Sequence, residues 1–265
     1  MSIIPENGLK RKLAAGGSAV GTMLVELRQP SVMQVLANAG LDFVIIDTEH
    51  GPLGIETIAD LSRAARAAGV TPIVRVPDLQ YAYVAPALDA GAQGIMLPRV
   101  TEPGQVREVL QMMKYPPLGR RGSVLARGHT AFKGGSLADA LAEGNAESML
   151  IVQIETKPAL DRADEILGIP GVDVGFVGPT DLSVALGVPG QVGHASIVSA
   201  IETVTGICEG HGVYPAVQMN DLPSAVAWAG RRIRLLSYSS EISILGGAAA
   251  DITTAIRSAF APVRA

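Results

Sequence analysis

The chain has 265 residues, close to the roughly 250 typical of a one-domain barrel, and its 48% hydrophobic and 17% charged residues exclude a disordered chain. A formal net charge of -4 and a pI near 5.6 leave no basic surface on which nucleic acid would bind, so a small soluble substrate is expected. Cys208 is the only cysteine, which rules out an internal disulfide and fits a reducing cytoplasm, while the lack of a signal-like start or a long apolar run argues against export and membrane insertion.

Short Val- and Ile-rich runs recur along the chain, most of them followed by a loop and a helical stretch, the pattern of βαβ units in a parallel sheet. The first, AVGTML at 19–24, precedes an amphipathic stretch at 30–40. DFVIID at 42–47 leads to a helix at 56–69, and PIVRV at 72–76 to one at 83–91, several of these stretches closing on a Gly in the helix-stop position. GIMLP at 94–98 is followed by a break in rhythm, because 115–147 opens with a Gly-, Pro- and Arg-rich run too long for a simple connection. A lid or binding loop is expected there. MLIVQIE (149–155), DVGFVG (173–178), VYPAVQ (213–218) and RIRLLSYS (231–238) complete eight strands. The count predicts one (β/α)8 TIM barrel spanning 1–265.

Barrel enzymes gather their chemistry at the C-terminal ends of the strands. That filter selects Asp47, Glu49 and His50 after the second strand, Arg75 late in the third, Gln153 and Glu155 at the end of the fifth, and Asp181 just after the sixth. Residues two apart on a strand share a face, so Gln153 and Glu155 point the same way. Glu155 and Asp181 come from adjacent strands, and converging carboxylates repel unless one is protonated or a cation lies between them. A hard divalent ion such as Mg2+ or Mn2+, with its open positions filled by water or substrate oxygens, is the economical answer; pairing of each acid with a rim Arg is the alternative. His50 on its loop is a candidate general base whose tautomer Asp47 sets, or else a loop-capping residue. Arg75, in an apolar strand, needs an anion, either a structural carboxylate such as Glu49 or a substrate oxygen. Gly178, Pro179 and Thr180 form a strand-to-helix turn whose amides favour an anion. Of the five lysines only Lys157 lies near a strand end, and it is past the turn, which disfavours a Schiff base and leaves metal stabilisation of an enolate as the preferred strategy.

Five segments in this order, IIDTEHGP (45–52), PIVRVP (72–77), YPPLGRRG (115–122), VQIET (152–156) and GPTDLS (178–183), resemble the HpcH/HpaI aldolase family over about Gly21 to Gly187. The resemblance implies a class II, metal-dependent pyruvate aldolase of the phosphoenolpyruvate/pyruvate barrel superfamily, with no organic cofactor and Mg2+, Mn2+ or Co2+ as the ion. It is similar to aldolases of aromatic-compound and sugar-acid catabolism that act on 4-hydroxy-2-oxoheptanedioate and 2-dehydro-3-deoxyglucarate. It further implies Glu155 and Asp181 as metal ligands, Gln153 as a pyruvate contact, Arg75 as the enolate partner, His50 as the acid/base acting through water with Asp47 beside it, and Asp89 as a residue reaching a neighbouring subunit's site. The partners implied are a 2-oxo acid, an aldehyde and further copies of the chain, in a trimer-based hexamer that exchanges its last helix, here Ile242 to Phe260. Two features depart from the family: Glu241 in SYSSEIS (237–243) stands where an Asp is common, and the Val25–Ser31 loop carries Glu26 and Arg28. Either is expected to reshape the aldehyde end of the pocket. The competing readings are a CoA-ester lyase of the citrate lyase β type, which would lack the Asp47-to-His50 loop, and a non-catalytic 2-oxo-acid-binding barrel.

Overall fold

The computed structural model describes residues 2–260. In chain order its elements are α1 (Gly8–Ala14), β1 (Ala19–Leu24), α2 (Val32–Asn38), β2 (Phe43–Asp47), α3 (Ile55–Ala67), β3 (Thr71–Arg75), α4 (Tyr81–Ala90), β4 (Gly94–Leu97), α5 (Pro103–Met113) and α6 (Leu137–Glu147). Then come β5 (Met149–Ile154), α7 (Lys157–Asp161), α8 (Ala163–Leu167), β6 (Val174–Val177), α9 (Pro179–Ala185), α10 (Ala195–His211), β7 (Tyr214–Met219), α11 (Leu222–Ala229), β8 (Leu235–Ser240) and α12 (Glu241–Ala259). The eight strands are parallel and close in sequence order, with β8 beside β1, so the fold is the (β/α)8 barrel.

Strand alternation divides the core in two. Val44 and Ile46, Val74, and Leu150, Val152 and Ile154 face outward into the layer under the helices. Phe43 and Ile45, Ile73, Met149 and Ile151, and Val174 and Phe176 face inward and fill the barrel. Continuing the inward set by two residues reaches Asp47 on β2, Arg75 on β3, and Gln153 on β5 with Glu155 just past its end. The period that packs the core therefore delivers the polar residues to the barrel mouth.

The lower end is closed by α1, which the sequence pattern did not reveal. Leu9 and Leu13 enter the interior cluster. Asn7 caps the helix by accepting from Lys10 N at 3.1 Å, and its amide donates to the carbonyls of Gln93 (3.1 Å) and Glu147 (3.0 Å). Leu9 and Leu13 are so few that no helical period could show them.

Two expectations are corrected. The last strand begins at Leu235 rather than Arg231, because Arg231 and Arg232 lie in the preceding turn and pair with Glu202 and Glu209 on the outer helix. The 115–147 segment is no lid over this chain's mouth. It runs along the flank and base, where Gly128 abuts the end of α4, Arg66 donates to its carbonyl at 2.7 Å, and Lys114 ties the end of α5 to Ser148. Burial there lowers the Lys114 pKa to about 8, and three acceptors surround its ammonium.

Candidate active site

The parallel register sets Asp47 directly beside Arg75. The guanidinium donates from Nε to Asp47 Oδ1 at 2.9 Å and from Nη2 to Oδ2 at 2.6 Å, a two-point pair with both groups buried. Its Nη1 lies 3.2 Å from Glu49 Oε2, near enough for charge attraction though not aligned as a hydrogen bond. Burial opposes the guanidinium's charge, but the hydrogen bonds and charges of Asp47 and then Glu49 outweigh it and hold the Arg75 pKa above its ordinary value.

The expectation that Asp47 sets the His50 ring is corrected by this pairing. Asp47 Oδ1 accepts from the backbone amides of Glu49 (3.0 Å) and His50 (3.4 Å), so it shapes the loop rather than the imidazole. The ring itself is two-thirds exposed, and its nearest carboxylate is Glu49, with Nε2 to Oε2 at 4.0 Å. Arg75 takes the Asp47 oxygens because adjacent strands in register present them side by side.

Glu155 follows β5 and is buried. Its Oε1 accepts from Arg99 N at 2.8 Å, and Oε2 is held by the Gln153 side-chain amide. Burial raises its pKa to about 7, and the like charges of Asp181 and Glu49 add to the rise against the Arg99 amide and Arg75. Burial likewise raises the Glu49 carboxyl above its usual range. Gly178 is required where it stands, since a Cβ there would lie 2.8 Å from both Glu155 Oε2 and Gln153 Nε2. Arg99 adopts φ +54, a left-handed conformation uncommon for a side-chain-bearing residue, in the turn that offers its amide to Glu155. Sequence reasoning missed Arg99; its only signal was a charged residue directly after an apolar strand.

Two clefts meet at the mouth. The larger, about 550 Å³, is lined by Asp47, His50, Arg75, Gln153 and the Gly178–Asp181 turn, with Met23 and Phe176 as an apolar floor. Its outer wall is neutral and polar: Gln218, Asn220, Ser239, Ser240 and Ser243. The smaller, about 300 Å³, holds Glu49, Arg99 and Glu155 and shares His50 and Asp181 with the first. The turn offers fewer amides than expected, because Gly178 N donates to Ile154 O at 3.4 Å and Pro179 has no N–H. Asp89 is not brought to this mouth: it lies at the far end of α4, bound by Arg121.

A divalent cation fits these residues. Glu155 is a buried carboxylate beside two others, Gln153 Oε1 is buried with no hydrogen-bond partner among the described residues, and the donors are hard oxygens. Among the described residues no group of three or more His, Cys, Asp or Glu could hold a metal, so Glu155 and Asp181 would supply only part of a coordination shell.

The family model for HpcH/HpaI aldolase/citrate lyase matches residues 22–239. A hydroxypyruvate/pyruvate aldolase of Roseovarius nubinhibens is 36% identical over 201 residues, 75% of this chain and 76% of its own length. A 2-keto-3-deoxy-L-rhamnonate aldolase of Escherichia coli is 34% identical over 203 residues, 77% of this chain and 75% of its own. The crystal structure of an HpcH/HpaI aldolase from Desulfitobacterium hafniense superposes with a TM-score of 0.92 at 35% identity, covering 97% of this chain and 99% of that one.

Proposed function

Because the chain belongs to the HpcH/HpaI aldolase/citrate lyase family, we propose that it is a metal-dependent aldolase that reversibly cleaves a 4-hydroxy-2-oxo acid to pyruvate, or a close 2-oxo acid, and an aldehyde. The observation that carries this reading is the convergence of Arg75, Gln153 and the buried Glu155 carboxylate beside the exposed His50 ring at one mouth. Glu155 and Asp181 would hold the divalent ion, Mg2+, Mn2+ or Co2+, which when bound supplies Lewis acidity toward the oxygens of a 2-oxo acid.

Asp47 and Glu49 orient Arg75 while leaving other guanidinium N–H groups unspent, and these meet the C2 oxygen as negative charge develops on it. In the cleavage direction the His50 ring, directly or through a water, takes the proton of the 4-hydroxyl. The C3–C4 bond breaks, its electron pair passes into the enolate of pyruvate, and the aldehyde departs along the neutral wall of Gln218, Asn220 and Ser239. Protonation at C3 completes pyruvate, and the reverse sequence is aldol addition. The CoA-ester lyase reading lacks a use for the Asp47-to-His50 loop, which here reaches both clefts.

Assembly into a homo-oligomer belongs to the same proposal. Along α12 only Glu241 is buried, while Ile244, Leu245, Ile252, Ile256 and then Phe260 are exposed. An apolar groove of about 290 Å³ between α11 and the outer face of β1 and β8 lies open beside it. A helix with an unburied apolar stripe next to an unfilled apolar groove supports exchange of α12 between subunits. No helix among the described residues is long and apolar enough to cross a membrane, and the lone Cys208 is buried, in keeping with a cytoplasmic enzyme.

The test is release of pyruvate from 4-hydroxy-2-oxo acids, followed by coupled reduction, with EDTA and with restored Mn2+, Mg2+ or Co2+. Activity unaffected by chelation, or a covalent adduct trapped by borohydride, would overturn the metal-dependent reading. Pyruvate C3 proton exchange, followed by NMR, separates an enzyme from a binding module.

A further inference from the structure

The two features expected to reshape the aldehyde end of the pocket, Glu241 and the Val25–Ser31 loop, are one device. Glu241 opens α12 directly after β8, and the residue is only 4% exposed. Oε2 accepts from Val25 N at 2.9 Å, and Oε1 accepts from Glu26 N at 2.7 Å and Leu27 N at 2.9 Å. Three successive backbone amides thus converge on one buried carboxylate, which forms no ion pair among the described residues. A buried charge held only by loop amides locks that loop, because releasing it would strand the carboxylate away from water.

The locked loop touches the site on two sides. The Val25 side chain lines the main cleft. Its carbonyl presses so closely on Gly51 that a Cβ there would lie 2.7 Å from Val25 O and 2.4 Å from Asp47 O. Gly51 immediately follows His50, so the β1 loop sets the position of the segment carrying the imidazole. On the other flank, Ser240 and Ser243, beside Glu241, form part of the neutral outer wall. Arg75, at the end of β3, hydrogen-bonds to Asp47, and Gln153 and Glu155, on and just past β5, hydrogen-bond to each other and to Arg99 N, so none of these bonds runs to the clamped loop.

We infer that Glu241 is a positioning and specificity residue: by clamping the β1 loop it places His50 and the outer wall around the aldehyde, and it leaves recognition of the 2-oxo acid untouched. This inference rests on the aldolase reading. A displacement of catalytic groups by about 1 Å can cost on the order of 100-fold, so a loosened clamp reads out at the acceptor step.

The experiment compares wild type with Glu241→Gln, which keeps one oxygen and loses the second acceptor, and Glu241→Ala, which loses both. Steady-state addition is run with pyruvate and a panel of aldehydes of different length, and hydrogen–deuterium exchange is followed on peptides covering residues 25–31. Expected are faster exchange of that loop, roughly 10- to 100-fold lower kcat/KM for aldehydes, a changed ranking among them, and a pyruvate KM within about twofold of wild type. Should the Ala variant not fold, the Gln variant carries the comparison. Unchanged acceptor kinetics despite a loosened loop, or equal losses for pyruvate and every aldehyde, would overturn the assignment. A wild-type chain without aldol activity would instead remove the aldolase reading itself, and the inference with it.

Discussion

Replacing Glu155 by Gln should make the metal-free protein more stable at neutral and higher pH. The residue is 3% exposed, and burial raises the pKa of its carboxyl to about 7 against an ordinary 4.5. At about 1.4 kcal/mol per unit, a charged Glu155 destabilises the metal-free fold by an order of about 3 kcal/mol. The folded chain binds this proton more tightly than the unfolded chain, so the penalty is absent below about pH 4.5, grows as pH rises toward 7, and is constant above. Glu155→Gln keeps the oxygen that accepts from Arg99 N, and its new amide replaces the oxygen that accepts from Gln153 Nε2, so one turnover of the Gln153 amide brings Gln153 Oε1 round to accept from it. The gain should therefore survive, at about 2 to 3 kcal/mol at pH 8 in EDTA, or roughly 5 to 10 °C in Tm for a chain of this size. Urea and thermal denaturation between pH 4 and pH 8 would measure it. Addition of Mn2+ should then stabilise wild type more than the variant, since the cation meets the charge that the variant has lost. A variant no more stable than wild type at pH 8 in EDTA, or one whose advantage does not shrink on acidification, would refute the argument that Glu155 is a strained carboxylate awaiting a cation.

His50→Ala should lower kcat by roughly 100- to 10,000-fold while the pyruvate KM moves little, because the ring serves proton transfer; steady-state kinetics in the addition direction would show it. Arg75→Met leaves Asp47 and Glu49 without their shared cation and should destabilise the fold by about 3 to 5 kcal/mol in urea titrations, far beyond the loss from an exposed pair. Charged substitutions in the exposed stripe, Ile252→Glu with Ile256→Glu, should dissociate the assembly in light scattering, and an unchanged mass would sink the exchanged-helix proposal. The neutral outer wall predicts that hydroxylated, uncharged aldehydes exceed carboxylated semialdehydes in kcat/KM by at least about tenfold, since an anion there would be desolvated with no cation in the wall.

Much of this architecture is a local property of the chain. Alternation along each strand is decided by neighbouring residues, so the sequence by itself determined that Asp47, Arg75, Gln153 and Glu155 would lie at the strand ends, with Gln153 and Glu155 on one face. Which groups pair is a property of register between strands and of closure of the ring. Only the tertiary structure decided that Asp47 faces Arg75 rather than the His50 ring, because β2 and β3 set the two Cα atoms opposite each other. Only it turned the 115–147 segment to the flank and base, and placed Asp89 at the far end of α4 with Arg121. The same holds for Glu241, which lies more than two hundred residues from the loop it clamps; closing β8 against β1 brings them together. A sequence carries the periods that aim side chains inward, and the closed ring of strands chooses their partners.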